Sequence, residues 1–165
     1  MWLLDVDGVI NAGSPGWGGA PRSGNAYSAG FEFRIRWAPP LISRIRALHD
    51  RDAVEIRWCS TWCSDADQLE RLFALPRFER CWTEDINGSV AAAAKLAAAR
   101  QVLADGRRLI WTDDSEVPTS GPVYDELMRD GRTLLIAPSP RNGLQPAHLD
   151  AIDDFCGPGP ARPLE

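Results

Sequence analysis

Asp5 and Asp7, with Gly8 directly after them, close a short apolar run that begins at Trp2. Carboxylates separated by one residue project to the same side of an extended backbone, and a glycine behind them permits the tight turn that acids around a cation need. Alone, Asp-x-Asp-Gly equally suits a surface turn or a calcium loop. An EF-hand loop starting at Asp5 wants a glutamate at its twelfth position, where Gly16 stands, so calcium loses on that count. Ser60 and Thr61 follow a second apolar run, and hydroxyls there can donate to a phosphoryl oxygen, although such a pair also suits a turn or a helix cap. Lys95 is the single lysine among 18 basic residues. A compact ammonium neutralises one phosphoryl oxygen without the bulk and fork of a guanidinium; the alternative is a solvated helix face. Asp113 and Asp114 follow a third run. Adjacent acids repel, so gathering both at a pocket makes sense when a hard divalent cation, naturally Mg2+, sits between them and the first pair; the alternative is an exposed turn.

These residues need a scaffold that brings them to one place. The apolar runs are short, rich in β-formers and separated by helical patterns, which predicts an α/β fold with a parallel sheet and crossover helices. Strands are expected at Trp2 to Val6, Val54 to Cys59, Arg80 to Thr83, Arg108 to Thr112 and Thr133 to Ala137. In such sheets ligands bind outside the carboxyl ends of the strands, where both aspartate pairs and the hydroxyls fall. Helices are expected from the spacing of Leu41, Ile42, Ile45 and Leu48, from a Ser64 to Asp67 capping box, and over Ser89 to Ala104, Tyr124 to Arg129 and Pro146 to Phe155.

The segment from Asn11 to Gly30 is rich in Gly, Ser, Ala and Pro, and leads into Phe31 to Trp37, where apolar and polar residues alternate as in an antiparallel ribbon. We read residues 11–40 as a β flap inserted after the first strand of a single domain spanning residues 1–156. The proline-rich end, 157–165, is expected to be a frayed tail.

A formal net charge of -5 argues against broad, sequence-independent affinity for nucleic acid, which needs a basic field. Locally the balance reverses: between Arg22 and Arg57 seven arginines face four acids. Cys59, Cys63, Cys81 and Cys156 lack paired Cys-x-x-Cys spacing, which suits free thiols in a reducing cytoplasm better than zinc. Met1 to Leu4 meets a charge at Asp5, leaving no room for a secretory segment, and no apolar run reaches bilayer length, so a soluble, cytoplasmic protein without membrane contacts is expected.

In chain order, Asp5-x-Asp7-Gly8, Ser60-Thr61, Lys95 and Asp113-Asp114 resemble the four motifs of the haloacid dehalogenase-like hydrolase superfamily, and the likeness spans nearly the whole chain. Each motif is weak singly. Their joint order, at strand ends and in the helix before the fourth strand, is specific. Response-regulator receivers use similar residues, but with the acidic pair first, then a single acid, then the hydroxyl. The resemblance implies a Rossmann-like three-layer sandwich around a central parallel sheet, and a Mg2+-dependent phosphomonoester hydrolase working through an aspartyl-phosphate. Asp5 would attack phosphorus, and Asp7 would protonate the leaving oxygen and later deprotonate water. The Asp5 carboxylate, the Asp7 main-chain carbonyl, Asp113 and, directly or through water, Asp114 would hold the metal, which keeps Asp5 ionised. Ser60 or Thr61 together with Lys95 would gather phosphoryl charge. Asp7 separates the chain from the dehalogenase branch, which lacks it.

Arg34 and Arg36 on the flap, and Arg141 and Asn142 after the fifth strand, are candidate substrate contacts. A flap this short leaves the entrance open, which admits small metabolites, phosphoproteins and nucleic-acid ends alike. A nucleic-acid-end phosphatase is the alternative within catalysis, favoured by the basic flap and disfavoured by overall acidity. A catalytically silent interaction domain is the alternative outside it, although such a domain has no chemical need for Asp7.

Overall fold

The computed structural model describes residues 1–157 of the chain, so all but Gly157 of the expected tail lies outside the described residues. In chain order the first elements are β1 (Trp2–Leu4), β2 (Arg22–Ser28), β3 (Phe31–Trp37), α1 (Pro39–Asp50) and β4 (Ile56–Trp58). There follow α2 (Ala66–Phe73), β5 (Glu79–Arg80), α3 (Gly88–Ala104), β6 (Leu109–Thr112), α4 (Pro122–Met128), β7 (Thr133–Ile136) and α5 (Pro146–Cys156).

Five strands form one parallel sheet in the order β5-β4-β1-β6-β7. The expected strands are all present but shorter, most of all at Arg80 to Thr83. There only Glu79 and Arg80 pair as a strand, and the chain leaves the sheet after the Cys81 amide donates to the Trp58 carbonyl. Side-chain alternation along β1 sends Trp2 and Leu4 into a core shared with α1, α2 and α5, and Leu3 into one shared with α3 and α4. Helices therefore cover both faces, which is why strands such as β6, Leu-Ile-Trp-Thr, read as unbroken buried runs. Strand order reverses at β1, which has β4 on one side and β6 on the other. The carboxyl end of β1 is thus a topological switch point, where neighbouring connections diverge and leave a crevice.

Pro39 and Pro40 preset the first turn of α1, whose Leu41, Ile42, Ile45 and Leu48 are all buried, as their spacing predicts. The Ser64 to Asp67 capping box does not form. Cys63–Asp65 is instead a 3₁₀ turn in which the Ser64 hydroxyl donates to the Asp65 carboxylate at 3.2 Å, and α2 starts at Ala66 without a side-chain cap.

β2 and β3 pair as an antiparallel hairpin in register Arg22↔Trp37 to Ser28↔Phe31. Its loop residues Ala29 and Gly30 both have positive φ, as a two-residue primed turn demands. Ile35 and Trp37 anchor its base in the core, and the ring of Trp37 meets Phe73 edge-on at 5.1 Å. Gln68 clamps the other strand, accepting from the Tyr27 amide at 2.9 Å and donating to the Tyr27 carbonyl at 2.7 Å. No helix among the described residues is long and apolar enough to cross a membrane.

Buried Glu70 ties three elements together. Its Oε1 accepts from Trp58 Nε1 at 2.9 Å and from the Phe78 amide at 3.0 Å, and Arg80 lies 3.5 Å from Oε2. Glu70→Met fills the space but leaves two buried donors unpaired, so we expect a loss of roughly 2–4 kcal/mol in urea unfolding, with a smaller loss for Glu70→Gln. An unchanged midpoint in Glu70→Met would show that these bonds hold nothing together.

Candidate functional site

β1, β4 and β6 are neighbours, so the residues just beyond their ends arrive together. The Asp5 amide donates to the Thr112 carbonyl at 3.1 Å, and the Cys59 amide to the Leu4 carbonyl at 2.9 Å, which holds the three strand ends level. Asp5 and Asp113 are buried side by side there, 4% and 0% exposed.

Lys95 comes from the opposite direction. The buried stripe of α3 is Ala91, Lys95, Ala99 and Val102, so the lone lysine sits on the packed face, between alanines small enough to let the helix approach the sheet. Its Nζ donates to Asp5 Oδ2 at 3.0 Å and to Asp113 Oδ2 at 2.6 Å. Asp113 Oδ1 meanwhile accepts from the amides of Ser115 at 3.0 Å and Glu116 at 2.8 Å. Both oxygens of that carboxylate are thereby fixed.

Asp114 completes an acidic cluster: Asp5, Asp113 and Asp114 each bring a carboxylate oxygen within 4.8 Å of the others. Gly8 is what lets Asp114 in. It has φ +70, and a Cβ built on it would stand 2.2 Å from Asp114 Cγ. Three carboxylates against one ammonium leave a formal surplus of two negative charges. The donor set is all oxygen, with no His or Cys, and suits a hard divalent cation of the Mg2+ or Ca2+ kind.

Burial, and then the charge of Asp113, push the Asp5 carboxyl up from 3.8 to about 7, against the opposing pull of Lys95 and the Ser60 hydroxyl. Burial works against the Lys95 ammonium, but Asp5 and Asp113 overcome it and hold the lysine well above its ordinary range. Asp114 is also raised, by burial first and by Asp113 second. The expectation of an ionised Asp5 therefore depends on a bound cation.

Asp7 stands apart from this cluster, exposed and pinned from two sides. Its Oδ1 accepts from Asn11 Nδ2 at 2.7 Å and its Oδ2 from Trp62 Nε1 at 2.9 Å. Asn11 also accepts from the Arg36 amide at 2.9 Å, and the Trp62 ring meets Phe33 edge-on at 5.5 Å, so the hairpin is coupled to Asp7 through both. Neither Asn11 nor Trp62 stands out in the sequence. The one signal is spacing, since Asn11 lies four residues beyond Asp7 across a turn in which Val6 carbonyl accepts three amides.

A cavity of about 210 Å³ opens among Asp5, Asp7, Thr61, Lys95, Asp114 and the first turns of α3. Thr61 lines it, whereas Ser60 is fully buried beneath, its Oγ accepting from the Trp62 amide at 3.3 Å. Arg34, Arg36, Arg141 and Asn142 are exposed and do not line it. Arg34 donates to Ser23 Oγ at 3.1 Å across the hairpin. The loop carrying Arg141 and Asn142 is nonetheless docked on the first turn, because Leu144 donates to the Val9 carbonyl at 2.8 Å and Gly143 packs where a Cβ would meet that same oxygen at 2.5 Å. A larger cavity of about 570 Å³ opens at the other end of the sheet, beside Met1, Val54 and Arg108, remote from the acidic cluster.

Comparison with protein-family models, curated proteins and solved structures gave no match.

Without a divalent cation, Asp5 holds its proton more tightly in the folded chain than in the unfolded one, so its neutral form favours folding. That contribution is fully present below about pH 4 and is lost as the pH rises through about 7. Asp5→Asn cannot ionise and escapes the loss. With chelator present, its unfolding midpoint relative to the native chain should climb between about pH 4 and about pH 8. A constant difference would contradict the raised Asp5.

Proposed function

We propose that the chain is a Mg2+-dependent phosphomonoester hydrolase of haloacid dehalogenase-like type, its sheet and helices forming a Rossmann-like three-layer sandwich and its β2–β3 hairpin acting as a minimal flap. The observation that carries this reading is the meeting of four distant segments, represented by Asp5, Thr61, Lys95 and Asp114, on the wall of one cavity. Mg2+ would be held by Asp5, Asp113 and Asp114 with the Asp7 main-chain carbonyl, and would supply charge neutralisation for the phosphoryl oxygens.

Asp5 is the nucleophile: its carboxylate oxygen attacks phosphorus as the ester oxygen departs, giving an aspartyl-phosphate. Asp7, steered by Asn11 and Trp62, gives its proton to the departing oxygen, then removes one from the water that cleaves the acyl phosphate and regenerates Asp5. Thr61 faces the phosphoryl group from the cavity wall, and Ser60 acts from below, on Asp5. Lys95 orients Asp5 and Asp113 and brings the one positive side chain on that wall to the phosphoryl oxygens.

The cavity is small beside the roughly 300–1,000 Å³ that enclose drug-sized ligands. It accommodates the reacting group and leaves the rest of the substrate outside, toward Asp7 and the hairpin. A nucleic-acid end is the second reading, supported by exposed Arg34 and Arg36 on that hairpin; oligonucleotide binding that weakens steeply with salt would favour it over a small metabolite.

Against a panel of phosphomonoesters with Mg2+, Asp5→Asn and Asp7→Asn should each lower kcat by about a hundredfold or more. Unchanged turnover in either variant would remove that residue from the mechanism.

A further inference from the structure

β4 and β5 run in parallel with Arg57 opposite Glu79 and Trp58 opposite Arg80. The paired ladder ends there. The next residue on each segment is a cysteine, Cys59 and Cys81, and the Cys81 amide still donates to the Trp58 carbonyl at 2.9 Å, which continues the register. Opposed residues of neighbouring strands point to the same face, with backbones about 4.8 Å apart. This lies inside the window of roughly 4.4–6.8 Å between Cα atoms that a disulfide spans. Both side chains pack in the same core cluster.

The two sulfurs differ in access. Cys59 is fully buried and Cys81 only partly so, beside the edge strand of the sheet. The neighbouring Cys59 holds the Cys81 thiol below its ordinary range, against burial and with help from Arg57. The thiol that ionises more readily is therefore the more accessible one, with a second thiol beside it. Cys63 belongs to the other core cluster, and its thiol is engaged by the Trp58 carbonyl at 3.2 Å.

We propose that Cys59 and Cys81 form a redox modification site, a thiol pair that closes to a reversible disulfide by exchange with a small-molecule disulfide. The Cys81 thiolate attacks one sulfur of the oxidant, forming a mixed disulfide and releasing one small thiolate, which takes up the proton Cys81 gave to solvent. The Cys59 sulfur then attacks the Cys81 sulfur. The second small thiolate leaves with the Cys59 proton, so two protein thiols are oxidised and one small disulfide is reduced to two thiols. The new bond would sit one residue from Ser60 and, through the Cys59 amide on the Leu4 carbonyl, directly behind Asp5.

The test is incubation of the full chain with oxidised glutathione, followed by intact-mass measurement and tryptic mapping. We expect most chains to lose the mass of two hydrogen atoms without gaining glutathione. The peptide spanning residues 58–71 should be joined to that spanning 81–95, with fragmentation placing the link at Cys59. Dithiothreitol should reverse it. The link should persist in Cys63→Ser and disappear in Cys81→Ser. Stable glutathione on Cys81 with no internal link, or a link located at Cys63, would overturn the proposal; fragmentation of the native chain decides this even where a variant folds poorly.

Discussion

An ammonium shared by two buried carboxylates is the constraint on which the rest of this architecture turns. Lys95 is bonded to Asp5, 90 residues away in sequence, and to Asp113, 18 residues away. Removing Lys95 would leave two adjacent buried carboxylates without their cation, a cost of roughly 3–5 kcal/mol. Sheet, helix and turn must therefore all be correct before the triad can form. The alanine stripe on α3 brings the helix close, and the strand order places β1 between the segments that end in Ser60 and Asp113. What the triad does not do is balance its own charge. Asp114, admitted by the absence of a side chain on Gly8, deepens the deficit instead of relieving it. The cluster is therefore one that could hold a metal ion.

Asp7 shows a second design principle, positioning without burial. Asp5 and Asp113 are buried, whereas Asp7 is exposed and held by neutral donors from Asn11 and Trp62. A carboxylate that is proposed to exchange protons with substrate and water needs access to both. Two aspartates a single residue apart thus meet opposite environments, because the backbone turns between them at the end of β1. The hairpin extends that environment outward through Phe33 and Arg36.

Much of this was legible in the sequence because strand ends are easy to find and parallel sheets gather them. Asp5, Asp113 and Asp114 follow apolar runs, and the sheet brings their oxygens together as the spacing implies. Lys95 was singled out by its rarity alone, but its place on the buried stripe follows from an i, i+4, i+8 series, Ala91, Lys95 and Ala99, that composition does not show. The division of labour between Ser60 and Thr61 was not legible, since one residue of backbone rotation after β4 decides which hydroxyl is buried and which lines the cavity. Nor were Asn11 and Trp62, whose roles arise from tertiary contact. The missing cap at Ser64 has the same origin: its hydroxyl found the Asp65 carboxylate in a 3₁₀ turn before any helix began. Alternation identified β3, but β2 hid in a Gly- and Ser-rich stretch whose strand character comes from its partner and from Gln68.

The central claim is that Asp5, Asp113 and Asp114 create a charge deficit that one divalent cation fills. Titrating the chain with Mn2+ while following water-proton relaxation counts bound ions directly. We predict saturation at a single ion per chain, displaced by Mg2+, and abolished in Asp113→Asn while far-ultraviolet circular dichroism stays native. Absence of saturable binding in the native chain, or binding that survives the substitution intact, would contradict the account.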